Sequence, residues 1–443
     1  MFSKWFGGKG RQRREEEDYF ARFTAELAKR GPDVPKTSGP DIYEQSRIYH
    51  RAEPAGKMAA VTTKPLATQH DLSLAYSPGV AGPCLDIQKN PAAAYEMTNK
   101  SNTVAVISNG TAVLGLGNIG AMASKPVMEG KAALFKAFAG VDAVDICIDE
   151  KDPKKLADII STLGPSFGGI NLEDIKAPDC FIVEEICRER MDIPVFHDDQ
   201  HGTATVIYAG LINALELTGR TLESLKLVVN GAGAAAIATL DLLTSQGLPK
   251  DNITLFDSQG CVTTSRKGLE ARRAVYAKEG KGPKSLAKAL EGADMFLGVS
   301  KAAALNPLWI AHMNKAPIIF ALANPEPEVW PAHALEVASD AIVATGRSDF
   351  ANQVNNVLCF PFLFRGALDA RAHSITPAMQ RAAALAIAEL ARSKPGKETT
   401  DAYPNDDFVF GQNYILPKPF DARLGEVVPA AVAQGAKEDG VAG

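Results

Sequence analysis

The sequence predicts an α/β protein of two domains, with parallel sheets, the second wound on both faces as a Rossmann-type doubly wound domain. Three observations predict it. The chain has 443 residues, more than one ordinary core accommodates. From residue 103 onward short apolar runs alternate with helical segments, and that alternation gives parallel sheets with helices on both faces. The alternation pauses at a helical stretch, 203–218, and restarts at LKLVVN (225–230), which puts a domain boundary near 205.

Along the chain, residues 18–30 (DYFARFTAELAKR) set Phe20, Phe23 and Leu27 on one helical face, with Gly31 as the stop. Residues 31–75 are rich in Pro, Lys and Thr and read as a segment that wraps a surface. In the first series TVAVIS, AVLGLG, AVDICID, CFIVEEI and IPVFHD read as strands or strand ends. PVMEGKAALFKAF reads as a helix with Pro126 in its first turn and Gly140 as its stop. The second series runs through ATLDLLTSQG, NITLFD, ADMFLGV, APIIFALAN and DAIVATG. The stretch 378–392 is helical, and the Pro-rich end is irregular until VVPAAVAQGA. The organisation is an N-terminal arm (1–56), a first domain (57–205) and a second domain with a helical tail (206–443).

Hydrophobic residues make up 46% of the chain and charged residues 22%, ample core material for a globular protein. A net charge of −5 gives no support to a nucleic-acid or anionic-membrane partner, so a site for an anionic substrate has to be local. The six cysteines, Cys84, Cys147, Cys180, Cys187, Cys261 and Cys359, form no Cys-x-x-Cys pair and read as free thiols in a reducing compartment. No apolar run is long enough to span a bilayer. The first fourteen residues carry Lys4, Lys9, Arg11, Arg13 and Arg14 around Phe2, Trp5 and Phe6, faintly like a transit peptide or membrane-surface patch. Glu15-Glu16-Glu17-Asp18 comes at once after them, so a solvated arm on a cytoplasmic protein is expected.

Two glycine patterns occur. Gly231-Ala-Gly233, followed by Ala234, Ala235 and Ala236, comes after a β-branched run and opens an apolar helix, and Asp257 ends the next strand about twenty residues on. This is the context of a dinucleotide fingerprint: a tight turn, a close backbone approach to pyrophosphate at a helix N-terminus, and a carboxylate for ribose hydroxyls. Gly115-Leu-Gly117-Asn-Ile-Gly120 matches the string better but is followed by AMASKP, where a helix is not expected to start cleanly. It reads as a tight turn that brings backbone close to a substrate pocket.

Two acidic pairs stand out, Glu173-Asp174 in INLEDIKAP and Asp198-Asp199 in PVFHDDQHGTA. Adjacent carboxylates at strand ends repel unless a cation lies between them. An all-oxygen set suits Mg²⁺ or Mn²⁺, whereas His197 and His201 beside the second pair argue for a transition metal. Acidic pairs in loops are also commonly just solvated, and spacing alone leaves that open. Lys131 comes after the second glycine turn on its helix, and burial beside a divalent cation would lower its pKa enough for it to take a proton; a solvated surface lysine is the alternative. Tyr76 precedes a Ser-Pro-Gly turn, a rigid place for a phenol donor or for an ordinary packing tyrosine.

Together these strings resemble the malic enzymes, specifically the bacterial type. The matching segments are DLSLAYSPGVAGPC (71–84), SNGTAVLGLGNIGAMASKPVMEGKAALFKAFAG (108–140), NLEDI (171–175), VFHDDQHGTATV (195–206), VVNGAGAAAIA (228–238), FALANPEPE (320–328), TGRSDFANQVNNVLCFPFLFRGAL (345–368) and YILPKPFDARL (414–424). The resemblance implies Glu173, Asp174 and Asp199 as metal ligands for Mg²⁺ or Mn²⁺, Lys131 as base, Tyr76 as acid, and Asp198 as the carboxylate that orients the lysine or relays protons to it. It implies that Asn324 and Asn356, with Asn355 as the neighbouring alternative, hold the substrate carboxylate and the nicotinamide amide.

The activity that the resemblance implies is oxidative decarboxylation of L-malate to pyruvate and carbon dioxide with reduction of NAD or NADP. Asp257 repels a 2′-phosphate and so favours NAD, but Arg266 and Lys267 offset it and the bacterial resemblance tips the expectation to NADP. Two rivals are a malolactic or oxaloacetate-decarboxylating enzyme on the same scaffold and a non-catalytic dinucleotide-sensing subunit. A homodimer or a dimer of dimers is implied. Two departures qualify the resemblance: Ala112 stands where animal-type members carry an arginine, and the phosphotransacetylase-like domain of larger bacterial members is absent from this sequence, so a short form is expected.

Overall fold

The computed structural model describes residues 40–443; the helix expected over 18–30 and the basic arm before it lie outside the described residues. The chain divides into two compact units, Met1–Met97 and Thr98–Gly443. In the first, α1 (Pro40–Arg51), α2 (Gln69–Ala75) and α3 (Ala81–Lys89) are short. A capping box starts α2: the Thr68 hydroxyl accepts the Asp71 N–H while the Asp71 carboxylate accepts the Thr68 N–H. Neither α2 nor α3 contains a buried residue, and Leu72, Leu74, Val80 and Leu85 are exposed.

The second unit holds two sheets. The first has four parallel strands in the order β2-β1-β3-β4: β1 (Thr103–Ser108), β2 (Asp142–Cys147), β3 (Gly169–Leu172) and β4 (Val195–His197). The second has six in the order β10-β9-β8-β5-β6-β7: β5 (Leu227–Asn230), β6 (Ile253–Asp257), β7 (Gly260–Cys261), β8 (Met295–Gly298), β9 (Ile318–Ala321) and β10 (Ile342–Thr345). All neighbours in it run parallel except the edge strand β7. Helices α4 (Ala121–Ala139), α5 (Pro153–Ser161), α6 (Asp179–Arg190), α7 (Thr203–Thr218) and α8 (Ala234–Ser245) connect the strands, and α9 (Phe360–Asp369), α10 (Pro377–Ala391) and α11 (Leu424–Glu438) form the tail.

Three expectations fail, each for a local reason. CFIVEEI is not a strand but the body of α6, because Cys180, Val183, Glu184 and Cys187 recur at helical spacing on its buried face. AVLGLG forms no strand; Leu114–Leu116 is a single tight 3₁₀ turn, since its glycines favour turning over pairing. Helix α4 begins at Ala121, directly after the glycine turn, so Pro126 lies inside it rather than in its first turn. The carbonyl that Pro126 cannot serve belongs to Met122, which is exposed and can be hydrated.

One core cluster of the first sheet is mainly aliphatic, with Ile107, Leu156, Ile170 and Val195 among its members, and a second, aromatic cluster joins α4, β4 and α9. Phe135 of α4 meets Phe360 and Phe364 edge-on, with ring centroids 4.8 and 5.3 Å away, and Phe364 meets Phe196 of β4 at 5.9 Å. Edge-to-face pairs at such distances favour one mutual orientation, so these rings set α4 and β4 against α9. Buried Asn213 of α7 donates to the carbonyls of Ala388 and Ile415 at 2.8 and 2.9 Å and accepts from Arg392 at 2.9 Å, fastening the tail. Among the described residues no helix is long and apolar enough to cross a membrane. No cysteine is paired; Cys180, Cys187 and Cys359 are buried and Cys84 is exposed.

Truncating the central ring leaves a cavity between all three elements. Phe364→Ala is expected to cost about 3–5 kcal/mol in urea unfolding, and a cost under about 1 kcal/mol would show that the rings do not couple α4 to β4.

Candidate active site

Parallel neighbours end at the same edge of a sheet, so the residues after β3 and β4 meet there. Glu173 and Asp174 come directly after β3. Asp174 adopts φ 53°, a left-handed backbone that Asp tolerates better than most residues. Its N–H donates to Asp199 Oδ2 at 2.8 Å and its carbonyl accepts the Ala112 N–H at 2.9 Å. After β4 the chain makes one π-helical turn, Asp198–Gly202, that delivers Asp198 and Asp199. The turn fits because position 202 is glycine: a Cβ there would fall 1.7 Å from Asp198 Oδ1.

The structure brings Glu173, Asp174 and Asp199 together, with one carboxylate oxygen from each lying within 4.8 Å of the others. Glu173 and Asp174 are buried and Asp199 is partly exposed. Three hard oxygens that converge with excess negative charge fit a divalent cation such as Mg²⁺ or Mn²⁺. Lys131 of α4 closes the other side: its Nζ lies 2.8 Å from Glu173 Oε1, 2.5 Å from Asp198 Oδ2 and 4.0 Å from the centroid of the Phe360 ring. Burial opposes the Lys131 ammonium, but the charges of Asp198, Glu173 and Asp199 outweigh it and hold its pKa above the ordinary lysine range. Burial raises Glu173, with Asp199 adding to it, and burial lowers His197.

Several further residues support the site and, apart from Asn356, carry no obvious signal in the sequence. Asn171 Nδ2 donates to Glu173 Oε2 at 2.8 Å. Asn356 Nδ2 donates to Asp198 Oδ2 at 3.1 Å, and Thr203 Oγ1 donates to Asn356 Oδ1 at 3.0 Å. Of the two adjacent asparagines, Asn356 is therefore the one that faces Asp198; Asn355 uses its side chain to accept the Val357 N–H. Glu184 of α6 contacts Gln200 and His201. Its burial favours the neutral acid, yet the charge and hydrogen bond of His201, joined by the charges of His197 and Arg188, together outweigh burial and push the carboxyl down to about 2. Only the strings NLEDI and HDDQHGT, in which Asn171, His201 and Thr203 flank the acids, point this way.

The glycine turn after β5 is built for close approach. Gly231 has φ 115°, and a Cβ there would fall 2.4 Å from the Val299 carbonyl oxygen beyond β8; β5 and β8 are neighbours where the strand order reverses. Gly233 caps α8 with open space around its missing Cβ, and Ala234, Ala235 and the buried Ala236 form the helix's first turn. Asp257, at the end of β6, is gripped by Arg266: Nη1 donates to Oδ2 at 2.7 Å and Nη2 to Oδ1 at 2.8 Å, while Nη2 also reaches the Gly260 carbonyl at 2.8 Å. The Arg266 guanidinium holds the Asp257 carboxyl below its usual range.

Asn324 lies on the loop after β9. Buried Glu328 pins that loop, accepting the N–H groups of Ala323 at 3.0 Å and Ser300 at 2.8 Å. The other glycine turn reaches the same place, since a Cβ at Gly115 would lie 3.7 Å from the Asn324 carbonyl oxygen. Tyr76 belongs to the 1–97 unit, where it is exposed and its N–H ends α2 on the Leu72 carbonyl.

Comparison with known proteins agrees with this geometry. The family described as malic enzyme, N-terminal domain, matches residues 55–188, and malic enzyme, NAD binding domain, matches residues 200–407. An NADP-dependent malic enzyme of Haemophilus influenzae is 55% identical over 89% of this chain and 52% of its own length. An NAD-dependent malic enzyme of Rhizobium meliloti is 54% identical over 91% of this chain and 52% of its own. The chain thus spans about half the length of these curated relatives. A malic enzyme crystal structure from Pyrococcus horikoshii is 42% identical with TM-score 0.84, covering 90% of this chain and 92% of that one.

If the three carboxylates form a cation site, titration of the protein with Mn²⁺ finds one site per chain, and Asp199→Asn removes it. Unchanged Mn²⁺ binding in that variant would show that the cluster holds no metal.

Proposed function

The chain belongs to the malic enzyme family, and from that premise we propose that it converts L-malate to pyruvate and carbon dioxide while reducing NADP or NAD, with Mg²⁺ or Mn²⁺. The observation that carries the reading is the convergence of Glu173, Asp174 and Asp199 beside a lysine that contacts both Glu173 and Asp198.

A divalent cation on Glu173, Asp174 and Asp199 supplies, when bound, Lewis-acid polarisation of the substrate oxygen and takes up carboxylate charge that otherwise keeps Lys131 protonated. The Gly231–Ala236 turn and the α8 N-terminus would hold a nicotinamide dinucleotide, which would supply the hydride acceptor. The residues do the rest. Lys131 takes the C2 hydroxyl proton as the hydride leaves C2, and Asp198, fixed by Asn356, holds the amine in line and accepts the excess positive charge. The resulting keto acid breaks its bond to the C4 carboxylate; carbon dioxide departs and the electron pair remains as the enolate of pyruvate. Tyr76 donates the proton that C3 then needs. Asn324 and Asn356 bind the substrate carboxylate and the nicotinamide amide.

For the cofactor, the Asp257–Arg266 pair favours NADP. The pair neutralises the carboxylate that would repel a 2′-phosphate, and a guanidinium has five N–H donors, so Arg266 keeps some beyond its three bonds here. Lys267 is the next residue along. The reading also places the protein in the cytoplasm, which suits its unpaired thiols, and makes it a homodimer or a dimer of dimers, which would cover the exposed Leu72, Leu74, Val80 and Leu85.

The deciding assay supplies L-malate and Mn²⁺ with NADP or NAD and tracks the reduced cofactor and pyruvate together. Carbon dioxide release without reduced nicotinamide would overturn the oxidative reading in favour of a decarboxylase. Lys131→Ala is expected to abolish turnover while NADP still binds; parallel loss of both would count against its role as base. Arg266→Ala, which leaves Asp257 unpaired, should lower kcat/KM for NADP by about tenfold or more and lower that for NAD far less. Equal losses would mean that the pair does not select the cofactor.

A further inference from the structure

Glu184 is a buried carboxylate that the proposed chemistry does not use. It lies on α6 and is 3% exposed. Burying a carboxylate costs stability unless its oxygens are matched, and the match here is specific. Glu184 Oε2 accepts from Gln200 Nε2 at 3.1 Å and lies 3.0 Å from His201 Nε2; Oε1 lies 2.8 Å from the same His201 nitrogen. Arg188, one turn along α6, has Nη1 3.8 Å from Oε1.

Gln200 and His201 both lie on the π-helical turn Asp198–Gly202. A single π turn is rare and is found frequently at functional sites, so the side chains that hold this one bear on the groups it carries. On its inner side the turn has no slack, because Gly202 meets the Asp198 carboxylate in the space of a single missing methyl. On its outer side Glu184 holds the two residues between Asp199 and Gly202, and Thr205 Oγ1 donates to the His201 carbonyl at 2.7 Å. A rotation of the turn would displace Asp199 from the Asp174 N–H and Asp198 from Lys131 together.

We propose that Glu184 is a positioning residue for the cation site: through Gln200 and His201 it sets the turn that places Asp199 among the cation ligands and Asp198 against Lys131. This rests on the reading of Glu173, Asp174 and Asp199 as a metal site. Groups that orient ligands in this way typically change metal affinity by about 10–100-fold when removed, whereas a purely structural ion pair would change stability and leave affinity in the folded protein alone.

The test is direct Mn²⁺ binding, read by the electron paramagnetic resonance of free Mn²⁺, in the full chain carrying E184A, E184Q, Q200A or D199N, with NADP affinity and melting temperature measured alongside. D199N controls for the metal site itself. The expected result is about tenfold or more weaker Mn²⁺ binding in E184A, a smaller loss in Q200A, partial recovery in E184Q, and unchanged NADP affinity in all. Should E184A fail to fold, E184Q and Q200A still decide the matter. Mn²⁺ affinity within about twofold of the parent in every folded Glu184 and Gln200 variant, while D199N loses the metal, overturns the proposal, since orienting groups change affinity more than that; D199N binding normally overturns the metal-site reading instead.

Discussion

The site depends on one electrostatic constraint: Lys131 is the ammonium placed against buried carboxylates that reach it from two separate loops. Carboxylates driven out of water repel one another, and their charged forms survive only beside a cation. Lys131 meets Glu173 from the β3 loop and Asp198 from the β4 turn, and so it ties the two loops through charge. The fold makes the meeting possible. Because β1, β3 and β4 are adjacent and parallel, their C-terminal ends open onto one edge, while Phe135, Phe360, Phe364 and Phe196 hold α4 at the height where its lysine reaches that edge.

The second sheet solves a different problem, the approach of a long polyanion to backbone. Its strand order reverses between β5 and β8, and the chain leaving β5 must pass close to the chain leaving β8. Gly231 permits that passage, since any side chain would strike Val299. The Asp257–Arg266 pair on the far side of β6 then settles the local charge in advance. A bidentate guanidinium–carboxylate pair is rigid as well as neutral overall, so under the proposed cofactor reading the adenosine ribose would meet an arranged surface of donors and acceptors, not an isolated carboxylate.

Much of this is legible in the chain. The alternating pattern locates every strand from β5 to β10 apart from the two-residue edge β7, because buried parallel strands read as apolar runs between turn signals. The pairs Glu173-Asp174 and Asp198-Asp199 are visible as unusual charge at strand ends. What escapes has a physical reason in each case. Helix α6 reads as a strand because Cys180, Phe181, Ile182 and Val183 are consecutive, and a short apolar run has no period of its own. The α4 start is hidden because Pro126 normally marks a first turn, whereas here the carbonyl it abandons belongs to the exposed Met122 and is open to hydration. Asn171, Thr203 and Glu184 are invisible as site residues because one polar side chain in a sequence does not announce which distant group it will touch.

Two unusual backbone elements meet at the carboxylate cluster, and their mutual compensation explains why they persist there. Asp174 holds a left-handed backbone, which costs on the order of 1–3 kcal/mol in isolation, and residues 198–202 hold a π turn, a rare local geometry. The two are not independent. The Asp174 N–H, turned outward by its unusual φ, is the donor that Asp199 Oδ2 accepts, so each distortion supplies what the other requires. Relaxing Asp174 would strip Asp199 of its donor, and relaxing the turn would leave the Asp174 N–H without its acceptor. The strain is therefore shared across two loops that the sheet already holds side by side. A geometry that neither loop would hold alone becomes the stable one when both are present.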